Sequence, residues 1–167
     1  MSYRFQPVDA STAGAILSWQ YEPPYDFYNP DPSAGRHGVD LLLDPANAYH
    51  AIVDEHGALV GYCCFGPDAR VSGAPEDDEA LDVGAGVRPD LVGKGSGRPL
   101  LSAIVEFAGR RFGRRALRAT IAEFNQRAVW ACVREGFAPV ATFTRPSDRQ
   151  KFVVLRREPH VNGNGAG

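Results

Sequence analysis

Little in this sequence suits the chemistry of metals, disulfides or membranes. There are only three cysteines, and two of them, Cys63 and Cys64, are adjacent. Neighbours on a strand point to opposite faces, so these two are expected to be separate core thiols and not part of a secreted disulfide framework. The four histidines, His37, His50, His56 and His160, share no metal-ligand spacing with one another or with cysteine, and no metal is expected. No apolar run approaches the roughly 18–20 residues that a spanning helix needs, and no signal-peptide pattern opens the chain. An excess of one charge is missing too. Lys+Arg number 18 and Asp+Glu 20, a net charge of −2, which lacks the basic footprint that nucleic-acid phosphates demand. These absences point to a reducing, cytoplasmic setting with no nucleic acid and no membrane as partner.

What is present is enough for one core. Hydrophobic residues make up 44% and charged residues 23% of 167, the balance and length of a single globular domain. Tyr3–Val8 alternates as a strand and ends at Asp9, a helix N-cap for a helix running to about Trp19. Tyr21–Pro32 is dense in proline and aromatic residues and predicts an ordered loop, since proline interrupts both helix and central strand. A short helix is predicted near Val39–Leu43. Strands follow at Tyr49–Val53 and Ala58–Phe65, joined by a hairpin at Glu55-His56-Gly57. Pro67–Glu79 reads as an acidic, flexible loop, Leu81–Val87 as a strand, and Arg98–Phe112 as a helix with Pro99 in its first turn. Ala116–Ile121 is a strand and Gln126–Glu135 a helix closed by Gly136. Phe137–Phe143 and Lys151–Arg156 form a closing hairpin. The order β-α-α-β-β-β-α-β-α-β-β is that of an α/β domain with a mixed sheet. It places a domain over residues 1–157 and a glycine-rich, disordered tail over 158–167.

The segment Val92-Gly93-Lys94-Gly95-Ser96-Gly97 leaves a strand and opens a helix. The unpaired N–H groups of a helix start favour an anion, glycines allow backbone to approach it, and Lys94 and Arg98 add charge. The segment reads as a phosphate site or as a sharp strand-to-helix turn. A Walker A loop is excluded by Arg88, where its first glycine belongs, and by Gly95, where Ser or Thr belongs. A dinucleotide fingerprint is excluded by Arg98 or Leu100 at its sixth position.

These residues resemble the GNAT superfamily of N-acetyltransferases. Its pyrophosphate loop, Gln/Arg-x-x-Gly-x-Gly/Ala, falls on Val92–Gly97, with Gly95 and Gly97 matching and Val92 departing. Val87-Arg88-Pro89-Asp90 is similar to the end of that family's fourth strand. Asn125-x-x-Ala128 followed by Arg134-Glu135-Gly136-Phe137 is similar to its Asn-x-x-Ala…Gly-Phe helix. The resemblance runs from Tyr3 to about Arg156. It implies a sheet of about seven strands splayed between the fourth and fifth, with about four helices. It also implies acetyl-CoA as co-substrate, an amine of a small molecule or protein as acceptor, and no metal. Val87, Arg88, Val92, Gly93, Lys94, Gly95, Ser96, Gly97, Arg98 and Asn125 would line the coenzyme. The pantetheine arm would pair with the fourth strand like an added peptide strand. Asp82, Gly84 and Gly86 share one face of that strand, and its two glycines mark either a close approach by a ligand or a bulge.

Acyl transfer needs a neutral amine and a protonated or stabilised leaving thiolate. Seven residues after the family's asparagine, where many members carry a tyrosine acid, this chain has Cys132, either the proton donor or a core thiol. Asp82 is the candidate base, or else an aspartate at a strand end. Where members that acetylate ribosomal-protein N-termini carry glutamate, Thr120 stands. Trp19, Tyr21, Tyr25, Phe27 and Tyr28 would form the acceptor wall by apolar and cation–π contact, or serve as a lid or a homodimer contact. Arg110, Arg111, Arg114, Arg115 and Arg118 read as a solvated face. A non-catalytic acyl-CoA sensor and a regulatory partner protein stay open as alternatives.

Overall fold

The computed structural model describes residues 2–31, 33 and 35–159. The expected tail lies outside the described residues from position 160 onward, while Glu158 at its start pairs with Arg156. The strands are β1 (Arg4–Pro7), β2 (His50–Val53), β3 (Leu59–Phe65), β4 (Ala80–Val87), β5 (Ala116–Ala122), β6 (Ala138–Thr144) and β7 (Lys151–Arg157). The α-helices are α1 (Ala10–Leu17), α2 (Gly35–Leu43), α3 (Gly97–Phe112) and α4 (Gln126–Arg134). The seven strands form one sheet in the order β1-β2-β3-β4-β5-β7-β6, with β4 and β5 parallel and the other pairs antiparallel.

Local chemistry accounts for most boundaries. Asp9 caps α1 by accepting the Thr12 N–H at 2.7 Å. Gly136, at φ +92°, ends α4 in the left-handed region. Helix α2 starts four residues earlier than Val39, because its glycines disguise it. A glycine costs a helix about 1 kcal/mol relative to alanine, yet a Cβ at Gly38 would stand 3.3 Å from Leu17 Cδ1, so the missing side chain lets α2 close on α1.

The main core lies between the sheet and α3–α4 and includes Ile52, Phe65, Val83, Leu100, Ile104, Leu117 and Leu155. A smaller cluster around Ala13, Ile16 and Leu42 lies under α1 and α2, with Trp19, Tyr49 and Tyr62 packed against it. Cys63 and Cys64 are buried free thiols, as read from their alternation.

The decisive feature is where β4 and β5 part. They pair over Ala80↔Ala116, Leu81↔Leu117 and Asp82↔Arg118 and no further. At this fork Asp82 is 1% and Arg118 4% exposed. Arg118 Nε donates to Asp82 Oδ1 at 2.7 Å, and Arg70 Nε donates to Oδ2 at 2.8 Å. Arg118 therefore does not belong to the solvated arginine face; its alternation with apolar Leu117 and Ala119 buries it against a carboxylate. Nor does the 67–79 loop run free. Pro75 accepts from Arg118, Asp77 from Arg156, and Arg70 reaches Asp82.

The glycines of β4 are explained by packing. Tyr62↔Gly86 and Cys64↔Gly84 are register partners. A Cβ at Gly86 would lie 2.3 Å from the Tyr62 ring, and one at Gly84 would lie 2.8 Å from Cys64 Sγ. The close approach is thus by side chains of β3 leaning across β4, and β4 keeps its register with β3 without a bulge.

Two stability changes follow. Arg118→Leu leaves Asp82 buried with only the exposed Arg70 beside it, and should lower the urea-unfolding free energy by about 3–5 kcal/mol. Gly86→Ala should cost about 1–3 kcal/mol by overpacking. The Tyr62→Leu background should recover most of that loss in a double-mutant cycle.

Candidate active site

Backbone polarity defines one bank of the opening. The Asp82 carbonyl accepts from Gly66 N–H and Arg88 N–H donates to Val60 O, each at 2.9 Å, so even-numbered residues of β4 turn their polar groups toward β3. By alternation, Ala85 and Val87 turn theirs into the gap left by β5. The Val87 carbonyl accepts the Tyr21 hydroxyl there at 2.7 Å.

The glycine loop continues from this bank. A turn at Pro89–Leu91 is closed by Val92 N–H to Pro89 O. Gly93 and Gly95 then take φ of +78° and +80°, which suits glycine and strains any other residue. The first intrahelical bond of α3 is Leu100 N–H to Ser96 O, and the Ser96 hydroxyl makes no cap. The N–H groups of Ser96, Gly97 and Arg98 are thus left for an external acceptor. Lys94 and Arg98 are exposed beside them, Arg98 lying 4.0 Å from Glu135. Arg88 is turned elsewhere, its guanidinium held by Asp90 and by the Leu59 carbonyl.

Arg127 was missed by sequence reading. Its guanidinium comes within 3.2 Å of where a Gly93 Cβ would be, and lies 5.5 Å from the Tyr25 ring centroid. The signal was available. A cation in the first turn of α4, where no acidic residue stands, opposes the helix dipole and calls for a compensating anion.

The aromatic segment crosses from one bank to the other. From Tyr21 on β4's Val87 it turns through a 3-10 helix at Tyr25–Tyr28. Tyr28 Oη then accepts from Asn125 Nδ2 at 3.2 Å. Tyr25, Phe27 and Tyr28 pack on Phe124, just beyond β5, with centroids 6.4, 5.4 and 6.0 Å away. Burial raises the Tyr21 hydroxyl to about 12 and also raises that of Tyr28. Trp19 stands apart from this strap, 6.1 Å from Tyr62 on the α1–α2 side. Asn125 also caps α4, its Oδ1 accepting Ala128 N–H at 3.2 Å.

The structure does not bring the two residues named for proton transfer into the opening as free groups. Cys132 is 5% exposed within the main core, and burial, then Glu135, push its thiol up to about 12. Asp82 carries three guanidinium hydrogen bonds. The ring nearest the β4 glycines is Tyr62, which sequence reading did not single out.

The sequence profile of the acetyltransferase (GNAT) family matches residues 13–137. No curated protein sequence matches the chain. Among solved structures, a chimera of the spermidine N-acetyltransferase SpeG from Vibrio cholerae and hSSAT is 14% identical, covers 95% of this chain and 96% of its own, and has a TM-score of 0.73. The aminoglycoside acetyltransferase AAC(6')-Ib in complex with coenzyme A is 15% identical over 94% of this chain and 95% of its own, at a TM-score of 0.72. At such identities the likeness speaks for the fold, a seven-stranded sheet parting between β4 and β5. With that fold and a profile match across most of its length, the chain belongs to the acetyltransferase (GNAT) family.

Proposed function

We propose that this protein moves an acetyl group from acetyl-CoA to a primary amine of a small molecule or protein. The observation that carries the reading is the continuity of two donor sets. The backbone edge of β4, open at Ala85 and at the Val87 N–H, leads straight into the uncapped start of α3. A ligand with a peptide-like arm ending in phosphates fits that sequence of groups. The N–H groups of Ser96, Gly97 and Arg98, with Lys94 and Arg127, would hold the pyrophosphate. The edge of β4 would pair with the pantetheine amides. The named neighbours support the acceptor class, one being a spermidine and another an aminoglycoside acetyltransferase.

For the chemistry, the Ala85 N–H is the β4 donor suited to polarise the thioester carbonyl. Cys132 is better suited to packing than to acid catalysis, because its side chain is enclosed in the main core and away from the opening. We assign proton donation to the leaving thiolate to Tyr28, fixed by Asn125 and standing on the segment that spans the opening. Asp82 is spoken for by two arginines, so the proton leaving the amine passes to solvent water. Tyr21 and Tyr25 would face the acceptor, Trp19 would back them through Tyr62, and the site would work in the cytoplasm. The rival reading, a non-catalytic acyl-CoA sensor, draws on Cys132 standing where many relatives carry tyrosine.

Acetyl-CoA at 100 times its Kd should stabilise the fold by about 2.7 kcal/mol, read as a rise in thermal midpoint. Gly95→Val should abolish that rise while costing the fold about 1–2 kcal/mol for a side chain at positive φ. Tyr28→Phe should cut kcat about 100-fold or more, with acetyl-CoA affinity unchanged by calorimetry. Thiol release should be followed with spermidine, ribostamycin, 2-phenylethylamine and a peptide with a free N-terminus. Tight acetyl-CoA binding with no turnover on any amine would favour the sensor.

A further inference from the structure

Thr120 Oγ1 is a buried side-chain polar atom with no hydrogen-bond partner, a condition found nowhere else among the described residues. Its place in the sheet gives that orphan a meaning. Asp82 and Arg118 meet side chain to side chain at the fork. Alternation then puts Gly84 and Gly86 on that same face of β4, and Thr120 and Ala122 on that face of β5. Thr120 is therefore the first residue of β5 to show a side chain on this face after the strands part. Its partner on β7 is Val154, which offers it nothing polar. Behind it the Arg118 guanidinium is already bonded to Asp82 and Pro75. In front, Phe27 packs toward Phe152, the residue paired with Ala122.

A hydroxyl desolvated without a partner destabilises the fold, and valine would fill the same volume without that cost. We propose that Thr120 Oγ1 accepts a hydrogen bond from the attacking nitrogen of the acceptor amine, which makes Thr120 a catalytic residue of this site. The inference rests on the transfer reading given above. A neutral amine has N–H groups to donate and one lone pair for the attack, so an oxygen acceptor can hold it without consuming the nucleophile. Among the described residues Asp82 is the one carboxylate buried at the fork, and it is saturated by Arg70 and Arg118. As the N–C bond forms, the C–S bond breaks. One proton passes from nitrogen to water, and the thiolate takes one from Tyr28, which solvent then restores.

The test compares Thr120→Val with Thr120→Ser in the full chain, using whichever amine of the four-member panel the wild type acetylates fastest. Thr120→Val should lose about 10-fold or more in kcat/KM for the amine, the worth of one hydrogen bond. Its acetyl-CoA Kd should stay within about twofold of wild type, and its thermal midpoint should hold or rise by about 2–4 °C as the orphan hydroxyl is removed. Thr120→Ser should keep turnover within about threefold. The pattern of a firmer fold with a weaker reaction is what a merely structural threonine would not give. Turnover in Thr120→Val within twofold of wild type would overturn the proposal. So would a lower midpoint with parallel loss of acetyl-CoA binding, which would mark Thr120 as a packing residue. A wild type that acetylates none of the four amines would count against the transfer reading itself, a result distinguishable from failure at Thr120.

Discussion

The buried pair of Asp82 and Arg118 governs this structure. Parallel strands joined through a helix would ordinarily run together for their full length; here they part after three registered residues, at the point where the two charges meet. A buried ion pair is poor value for stability compared with apolar packing. Its worth lies in specificity, because neither charge can shift register without being stranded. The pair also recruits what surrounds it. Arg70 and the Pro75 carbonyl satisfy the remaining atoms, which fixes the 67–79 loop, and Asp77 ties that loop on to β7 through Arg156. The fork is thus a locked vertex, and everything beyond it can be open because the vertex is rigid.

Openness beyond the vertex divides the labour of the sheet. The in-plane edge of β4 offers backbone groups at Ala85 and Val87 and leads to the uncapped N-terminus of α3. The face holding Gly84, Gly86 and Thr120 is the one over which Tyr62 leans and the aromatic segment crosses. These surfaces meet at the gap, so a donor lying along the edge and an acceptor entering over the face would come together without sharing a route. That geometry suits a two-substrate transfer on the proposed reading. It also explains the glycines of β4, which keep the face low enough for a tyrosine ring to lie across it.

The order of elements was legible from periodicity and punctuation, because Asp9, Gly136 and the prolines act locally. The glycine loop was legible for the same reason, and Asn125 through its helix-starting position. What could not be read were consequences of tertiary pairing. Asp82 read as a candidate base or a strand-end carboxylate because its partner lies 36 residues away. Arg118 looked solvated because four other arginines precede it in the same stretch. Cys132 was open to two readings, proton donor or core thiol, because sequence position carries no burial, and the helix face that holds it lies in the core. Tyr62 and Arg127 were overlooked for the opposite reason. Each is ordinary in its own element and becomes informative only where a ring crosses a glycine or a guanidinium reaches a loop.

The aromatic segment shows how few contacts are needed to hold such a gap open. It is anchored on one bank by Tyr21 on the Val87 carbonyl and on the other by Tyr28 against Asn125. Between those points the rings of Tyr25, Phe27 and Tyr28 share one platform, Phe124, immediately after β5. Removing a platform shared by three rings would release all of them together, whereas removing either hydroxyl would free one end. Aromatic packing therefore sets where the segment lies, and the two hydroxyls set how it meets the strands. Asn125 links that arrangement to helix α4, since the same side chain that meets Tyr28 also caps the helix. The start of α4 carries Arg127 to the glycine loop and to Tyr25 as well. One helix terminus thus couples the aromatic segment over the face to the glycine loop, and neither can be repositioned without disturbing the other.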